Sequence, residues 1–234
     1  MNLIQYLKTA VYPHTGTPVI AFLGDSVTHG AFECVQGDTA GCIFDHEAVY
    51  HERLRRMLLT VNPWLPVSVI NAGVAGDNAI MGLARLEEDV IAHKPHICVV
   101  NFCLNDLSET VEEYVAALRE IFTRLIAADI RPILLTPSML NTYVHPDTIP
   151  MYREFAAVTA AWHRSGHMDG YVAAAKALAG EMGVAVADAY AKWKAMEADG
   201  VDITASLANY INHPSRELHQ LFADVLFDTL QGEV

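Results

Sequence analysis

Short, wholly apolar runs alternate along the chain with longer stretches in which apolar and polar residues follow a helical period. Five runs have the length and composition of strands buried on both faces: residues 18–23, 67–71, 97–102, 132–136 and 184–187, each rich in Val, Ile and Leu. The intervening segments read as amphipathic helices over 47–60, 79–93, 111–128, 171–182, 189–197 and 216–230. In 79–93 the residues Ile80, Leu83, Leu86 and Val90 share one face. In 111–128 the same spacing aligns Val115, Leu118, Ile121, Phe122 and Leu125. Strands alternating with helices over short connections predict an α/β fold, a parallel sheet covered on both faces. No linker, repeat or low-complexity stretch divides the chain, so a single domain over residues 1–234 is expected.

Two stretches are too long for tight connections. Residues 32–46 follow the first strand and residues 138–170 the fourth, the latter with room for a further helix over 151–163. Both begin at the C-terminal end of a strand, where loops on parallel sheets carry specificity.

Charge narrows the partners. A formal net charge of −13 disfavours nucleic acid, whose phosphates need clustered Lys and Arg, and anionic membrane surfaces. The N-terminal residues lack the pattern of a signal peptide, and no run of apolar residues is long enough for a membrane span. A cytoplasmic location and reduced thiols at Cys34, Cys42, Cys98 and Cys103 are therefore expected. Cys34 and Cys42, in one loop, would pair only in an exported protein. No metal and no cofactor are expected. His163 and His167 are four apart, but Ser165 and Gly166 lie between them and no acidic third ligand is evident. Glu47 and His51 read as an exposed helical pair. The apolar ends, 3–7 and 221–230, are suited either to docking on the body or to a homo-oligomer.

Candidate chemistry gathers at the strand ends. The first strand runs directly into Gly24-Asp25-Ser26, which places Ser26 at the edge of the sheet where open α/β folds bind ligands. A simpler reading is a strand-to-helix turn with Asp25 or Ser26 as N-cap. After the second strand comes Asn71-Ala72-Gly73-Val74-Ala75-Gly76-Asp77, whose glycines permit a sharp turn. After the third comes Cys103-Leu104-Asn105-Asp106, where an Asn amide can donate to an oxyanion. Near the C-terminus, His213-Pro214 reads as a loop, because proline pushes the preceding residue out of helix. Imidazole is the usual base for a serine nucleophile. Taken singly each segment is modest, but on a parallel sheet Ser26, Gly76 and Asn105 share one edge, and His213 can reach it.

In these blocks the sequence resembles the SGNH (GDSL-type) hydrolase family over nearly its whole length. The resemblance implies a flavodoxin-like three-layer sandwich with a central parallel sheet of about five strands. It also implies a metal-free serine esterase acting on a small-molecule ester. Carried over residue by residue, the nucleophile is Ser26 and the base His213. The oxyanion hole is formed by Ser26, Gly76 and Asn105. Two positions depart from the family pattern. Cys103 stands where the third block usually has Gly, with a minor local effect expected. Tyr210 stands where Asp, three residues before the His, usually completes the triad. The third triad member is thus unknown from sequence: a backbone carbonyl near Asn212, a carboxylate such as Asp202 or Glu33, or none, leaving a weak enzyme. A Ser-His dyad with a backbone acceptor is the favoured expectation.

For substrate, the mixed polar loop 32–46 argues against an apolar lid. Asn141, Thr142, Tyr143 and His145 in the other loop suit hydrogen bonds to a polar partner, so short acyl groups, O-acetyl on a carbohydrate among them, are expected. Alternatives are a lysophospholipase or thioesterase of the same family, and a weak or inactive carbohydrate- or ligand-binding protein on a hydrolase scaffold. A nucleotide binder is disfavoured by the lack of a Gly-rich phosphate loop after the first strand.

Overall fold

A computed structural model describes residues 2–11, 16–36 and 40–232. Among these, the strands are β1 (Val19–Gly24), β2 (Ala31–Gln36), β3 (Ala40–Phe44), β4 (Ser68–Gly73), β5 (Ile97–Asn101), β6 (Arg131–Leu135) and β7 (Ala185–Ala187). The helices are α1 (Leu3–Thr9), α2 (Ser26–His29), α3 (Tyr50–Val61), α4 (Ala79–Asp89), α5 (Val111–Ala127), α6 (Arg153–Ser165), α7 (His167–Met182), α8 (Ala189–Ala198) and α9 (His219–Gln231).

The central sheet has five parallel strands in the order β4-β1-β5-β6-β7. Counted within that sheet the order is 2-1-3-4-5, the flavodoxin-like arrangement expected from the sequence. Every predicted strand is present, each shifted by no more than two residues at either end. Helices α1, α3 and α9 pack together, and α4, α5 and α7 form a second group, giving a three-layer sandwich. Between the layers Phe22, Leu23, Val99, Val100, Ile133 and Leu134 are buried, which is why their strands carry no polar alternation.

Local chemistry sets the helix starts. The Thr110 side chain accepts from the Glu113 backbone while Glu113 returns to the Thr110 N–H, a capping box that begins α5. Asn78 caps α4 through the Met81 N–H. The apolar N-terminal segment docks on the body: Leu3, Ile4 and Leu7 of α1 are buried in the core.

Three expectations change. Within the 32–46 stretch β2 and β3 pair as an antiparallel hairpin, whose mixed polar sequence gave no clean alternation. The 138–170 stretch holds the further helix expected there, as α6, but α7 starts at His167 and not at Tyr171, the two helices joined at Gly166 in the left-handed region. His51 is buried, and Glu47 precedes α3, so the two are no exposed helical pair. The His51 Nε2 lies 3.2 Å from the Thr28 carbonyl, and burial pushes its pKa down to about 4.

Candidate active site

Three strand ends create the site. Gly24 of β1 is in register with Gly73 of β4 on one side and with Asn101 of β5 on the other. The turns that follow therefore emerge side by side at the point where strand order reverses, the ligand-binding crevice of such sheets. Gly24 is required by close approach: a Cβ there would meet Thr28 Oγ1 at 2.2 Å and the Asn101 carbonyl at 2.6 Å. The chain then turns directly into α2, with Asp25 accepting from the Val27 N–H at 2.9 Å and Ser26 as the first helical residue.

Ser26 is buried but borders a small cleft of about 170 Å³, lined also by Gly76, Asn105 and His213. Its Oγ lies 3.0 Å from His213 Nε2. The other ring nitrogen, Nδ1, lies 2.7 Å from the Phe32 carbonyl. A carbonyl only accepts, so Nδ1 carries the proton and Nε2 presents its lone pair to Ser26. Burial holds the His213 pKa below its ordinary value, opposed by the Phe32 hydrogen bond and the nearby Glu33 charge. The ring is therefore neutral near neutral pH.

The acceptor of the Nδ1 proton is a backbone carbonyl, that of Phe32 on β2 and not one near Asn212. Neither proposed carboxylate reaches the ring. Asp202 accepts from the Tyr143 hydroxyl at 2.8 Å and caps the Ala205 N–H at 3.0 Å. Glu33 pairs with Arg216 through both carboxylate oxygens, at 2.5 and 3.1 Å. Tyr210 turns towards another loop, its ring stacked on His145 at 4.0 Å between centroids.

Sequence reasoning missed the residue that shapes the His213 loop. Asn209 Oδ1 accepts from three successive backbone N–H groups, those of Ile211, Asn212 and His213, at 2.9–3.0 Å. Its amide donates to Asn212 Oδ1 at 2.9 Å. An Asn four residues before the His was visible, but nothing in the pattern distinguished it from an ordinary turn residue.

Arg85 was missed for the same reason, as a lone cation on a helix. It donates to Asp77 Oδ2 at 2.6 Å, to the Ala72 carbonyl at 2.7 Å and to the Gly24 carbonyl at 3.1 Å. One guanidinium thus ties the ends of β1 and β4 to the turn beyond Gly76. That turn has Gly76 at φ 90°, a left-handed conformation that side chains disfavour. Asn105 donates one amide proton to the Asp77 carbonyl at 2.8 Å, which fixes the side chain and leaves a second amide proton.

Two carboxyls beneath the turns are unusual. Burial, with Asp106 and Asp77 nearby, raises Asp25 to about 7. Burial raises Asp106 to about 6, its Oδ1 accepting from the Ala79 N–H at the start of α4. Cys103 has φ 144°, where glycine is favoured. Its backbone thus carries strain that the family's usual residue avoids, and the substitution is more than a change of side-chain size.

The polar residues expected to meet a substrate do not line the cleft. Asn141 is buried, donating to the Tyr143 and Ala156 carbonyls at 2.8 Å, and Thr142 pairs with Thr204. The cleft wall is formed by Tyr152, Phe155, Ile211, Asn209 and the hairpin residues Cys34 and Cys42. His163 and His167 likewise have separate partners, Glu197 at 2.7 Å and the Leu107 carbonyl at 3.0 Å.

The family model for the GDSL-like lipase/acylhydrolase family matches residues 22–221. No curated protein matches the chain. Among solved structures, the acetylxylan esterase Axe2 from Geobacillus stearothermophilus superimposes with a TM-score of 0.67 at 25% identity, over 92% of this chain and 95% of that one. Its solved catalytic mutants include one at a serine and one at a histidine. The acetyl xylan esterase AlAXEase superimposes at 0.65 with 17% identity, over 90% of this chain and 98% of its own. LAE5, an alpha/beta hydrolase enzyme from the metagenome of Lake Arreo, Spain, does so at 0.67 with 22% identity, over 95% and 98%. The last two establish likeness of fold.

Proposed function

This chain belongs to the GDSL-like lipase/acylhydrolase family and is a carboxylic ester hydrolase, and from that premise we propose that it removes short acyl groups, acetyl foremost, from a carbohydrate. The reaction runs through an acyl-enzyme on Ser26. The observation that carries this reading is the contact between Ser26 Oγ and His213 Nε2, with Nδ1 held by the Phe32 carbonyl.

In the first half-reaction His213 Nε2 takes the Ser26 proton as Oγ attacks the ester carbonyl. The oxyanion is met by the backbone N–H groups of Ser26 and Gly76 and by the remaining amide proton of Asn105. Each such donor is worth about 3 kcal/mol in the transition state. The alcohol leaves with the proton that His213 gives back. Water then attacks the acyl group, losing a proton to His213, which returns it to Ser26 Oγ as the carbon–oxygen bond breaks and the carboxylic acid leaves. Support for the acetyl group is the size of the cleft, about 170 Å³, narrowed by Tyr152 and Phe155. Support for a carbohydrate alcohol is the likeness to Axe2, an acetylxylan esterase.

Ser26→Ala is expected to abolish turnover of a chromogenic acetyl ester and of acetylated xylooligosaccharides, with an unchanged circular dichroism spectrum. Stoichiometric labelling of the parent protein by a fluorophosphonate should disappear in the same variant. Turnover that survives the substitution would exclude Ser26 as nucleophile. Across acetyl, butyryl and octanoyl esters kcat/KM should fall with chain length, and a preference for octanoyl would overturn the short-acyl assignment.

A further inference from the structure

Two thiols face the cleft without any part in ester chemistry. Cys34 of β2 and Cys42 of β3 are cross-strand partners, half-buried and unbridged, with sulfurs 3.9 Å apart. Their Sγ atoms and a ring nitrogen of His213 all lie within 4.8 Å of one another, and no other group of three His, Cys, Asp or Glu ligands is so placed among the described residues. Two sulfurs and an imidazole are the donors that soft divalent cations prefer.

The spacing fits coordination better than a disulfide. In a tetrahedral zinc site, bonds of about 2.3 Å to sulfur and about 2.0 Å to nitrogen set ligand atoms roughly 3.5–3.8 Å apart. The sulfur pair already stands at such an edge, whereas a disulfide requires about 2.05 Å. The surroundings are those of a ligand set as well. Metal-bound histidines almost always donate their other N–H to a carbonyl or carboxylate, and the Phe32 carbonyl already accepts from His213 Nδ1. Burial and the neighbouring Cys42 push the Cys34 thiol up to about 12, so it is the metal that must draw off its proton, and the Asn209 amide, donating to Cys34 Sγ at 3.7 Å, offsets part of that cost. A dication with two thiolates is neutral, which limits the cost of holding it in a half-buried cleft.

We infer that Cys34, Cys42 and His213 form a site for a soft divalent cation such as zinc or cadmium, and that its occupation switches the esterase off. On binding, the cation displaces one proton from each thiol to solvent. The Nε2 lone pair leaves the Ser26 hydroxyl for the metal, and the fourth position falls to water or Ser26 Oγ. Ser26 then has no base. Because two protons are released, occupancy rises with pH. The inhibition rests on the catalytic roles proposed above for Ser26 and His213, whereas the binding does not.

Cadmium titration of the full chain, reduced with a phosphine that leaves the metal free, tests the binding. A thiolate-to-metal charge-transfer band should saturate at one equivalent, both in the parent protein and in Ser26→Ala, and vanish in Cys34→Ser/Cys42→Ser. With zinc, acetyl-ester turnover should fall about a hundredfold, the worth of a general base, and recover on chelation. The double Ser variant, its fold checked by circular dichroism, should hold its own metal-free rate. Absence of the band in the parent protein, or equal zinc inhibition in the double variant, overturns the site. A saturated band with undiminished turnover overturns His213 as a ligand. Should Ser26→Ala retain turnover, the proposed function fails while the band still judges the site.

Discussion

At the scale of single residues, a neutral carbonyl stands where serine hydrolases usually place a carboxylate. The Phe32 carbonyl can do half of that task. It fixes the tautomer and the ring plane of His213, but it offers no full negative charge to the imidazolium that forms in the proposed reaction. Positional precision then depends on the loop, and hence on Asn209, whose side-chain oxygen serves three backbone N–H groups. Asn209→Ala leaves those buried donors unpaired, at about 1–3 kcal/mol each before the loop relaxes. The expected result is a lower Tm together with a fall in kcat larger than any rise in KM. Asn209→Asp keeps the acceptor and sets a negative charge near His213, so the acid limb of its pH profile should move upward relative to the parent protein. An Asn209→Ala protein with unaltered kcat would remove Asn209 from the positioning role. Cys103, at φ 144°, shows that the chain tolerates a strained backbone beside the Asn105 turn.

Among the elements, the β2–β3 hairpin matters most, because it brings the Phe32 carbonyl to a histidine 181 residues further along. The hairpin is held by more than its own ladder. Arg216, three residues beyond His213, pairs with Glu33 and with Asp45, and its guanidinium lies 4.4 Å from the centroid of the Phe32 ring. The ring also packs on His219 at the start of α9. Arg216→Met should loosen the hairpin from the His213 loop. Its partners are partly exposed, so a drop in stability of only about 1 kcal/mol is expected from the ion pairs themselves. Activity should suffer more than stability, with kcat reduced about tenfold or more by misplacement of the base. A variant that loses stability but keeps kcat would show that the hairpin holds its position without this clamp.

For the whole molecule, buried titratable groups pull stability in opposite directions with pH. Asp25 and Asp106, at about 7 and about 6, keep protons in the fold that the unfolded chain has released. Their contribution is present at low pH and is lost as pH rises through these values. His51 and His219, lowered by burial to about 4 and about 3, stay neutral where the unfolded chain is charged. Their contribution is present above the ordinary histidine pKa of about 6.5 and is lost as pH falls. Asp25→Asn removes one of the opposing terms. The Tm of this variant minus that of the parent should be more positive at about pH 8 than at about pH 5, read by calorimetry. The reverse trend would mean that Asp25 is ionised in the fold. The acid limb of kcat/KM should lie below about 6.5, because burial lowers His213.

By itself the sequence determined the sheet, the covering helices and the four residues that gather at its edge. Those signals are local: unbroken apolar runs for buried parallel strands, a helical period for the layers, and polar turns directly after strand ends. Parallel topology then forces Ser26, Gly76 and Asn105 onto one side, since all strand C-termini share it. The tertiary structure alone decided what orients His213. A backbone carbonyl has no residue signature, so no reading of side chains distinguishes Phe32 from its neighbours. The hairpin that delivers it is a mixed polar stretch with no strand period, stabilised by contacts to the far end of the chain. The same long-range closure sets Cys34 and Cys42 against His213, a proximity that depends on how the hairpin packs and not on any spacing along the chain.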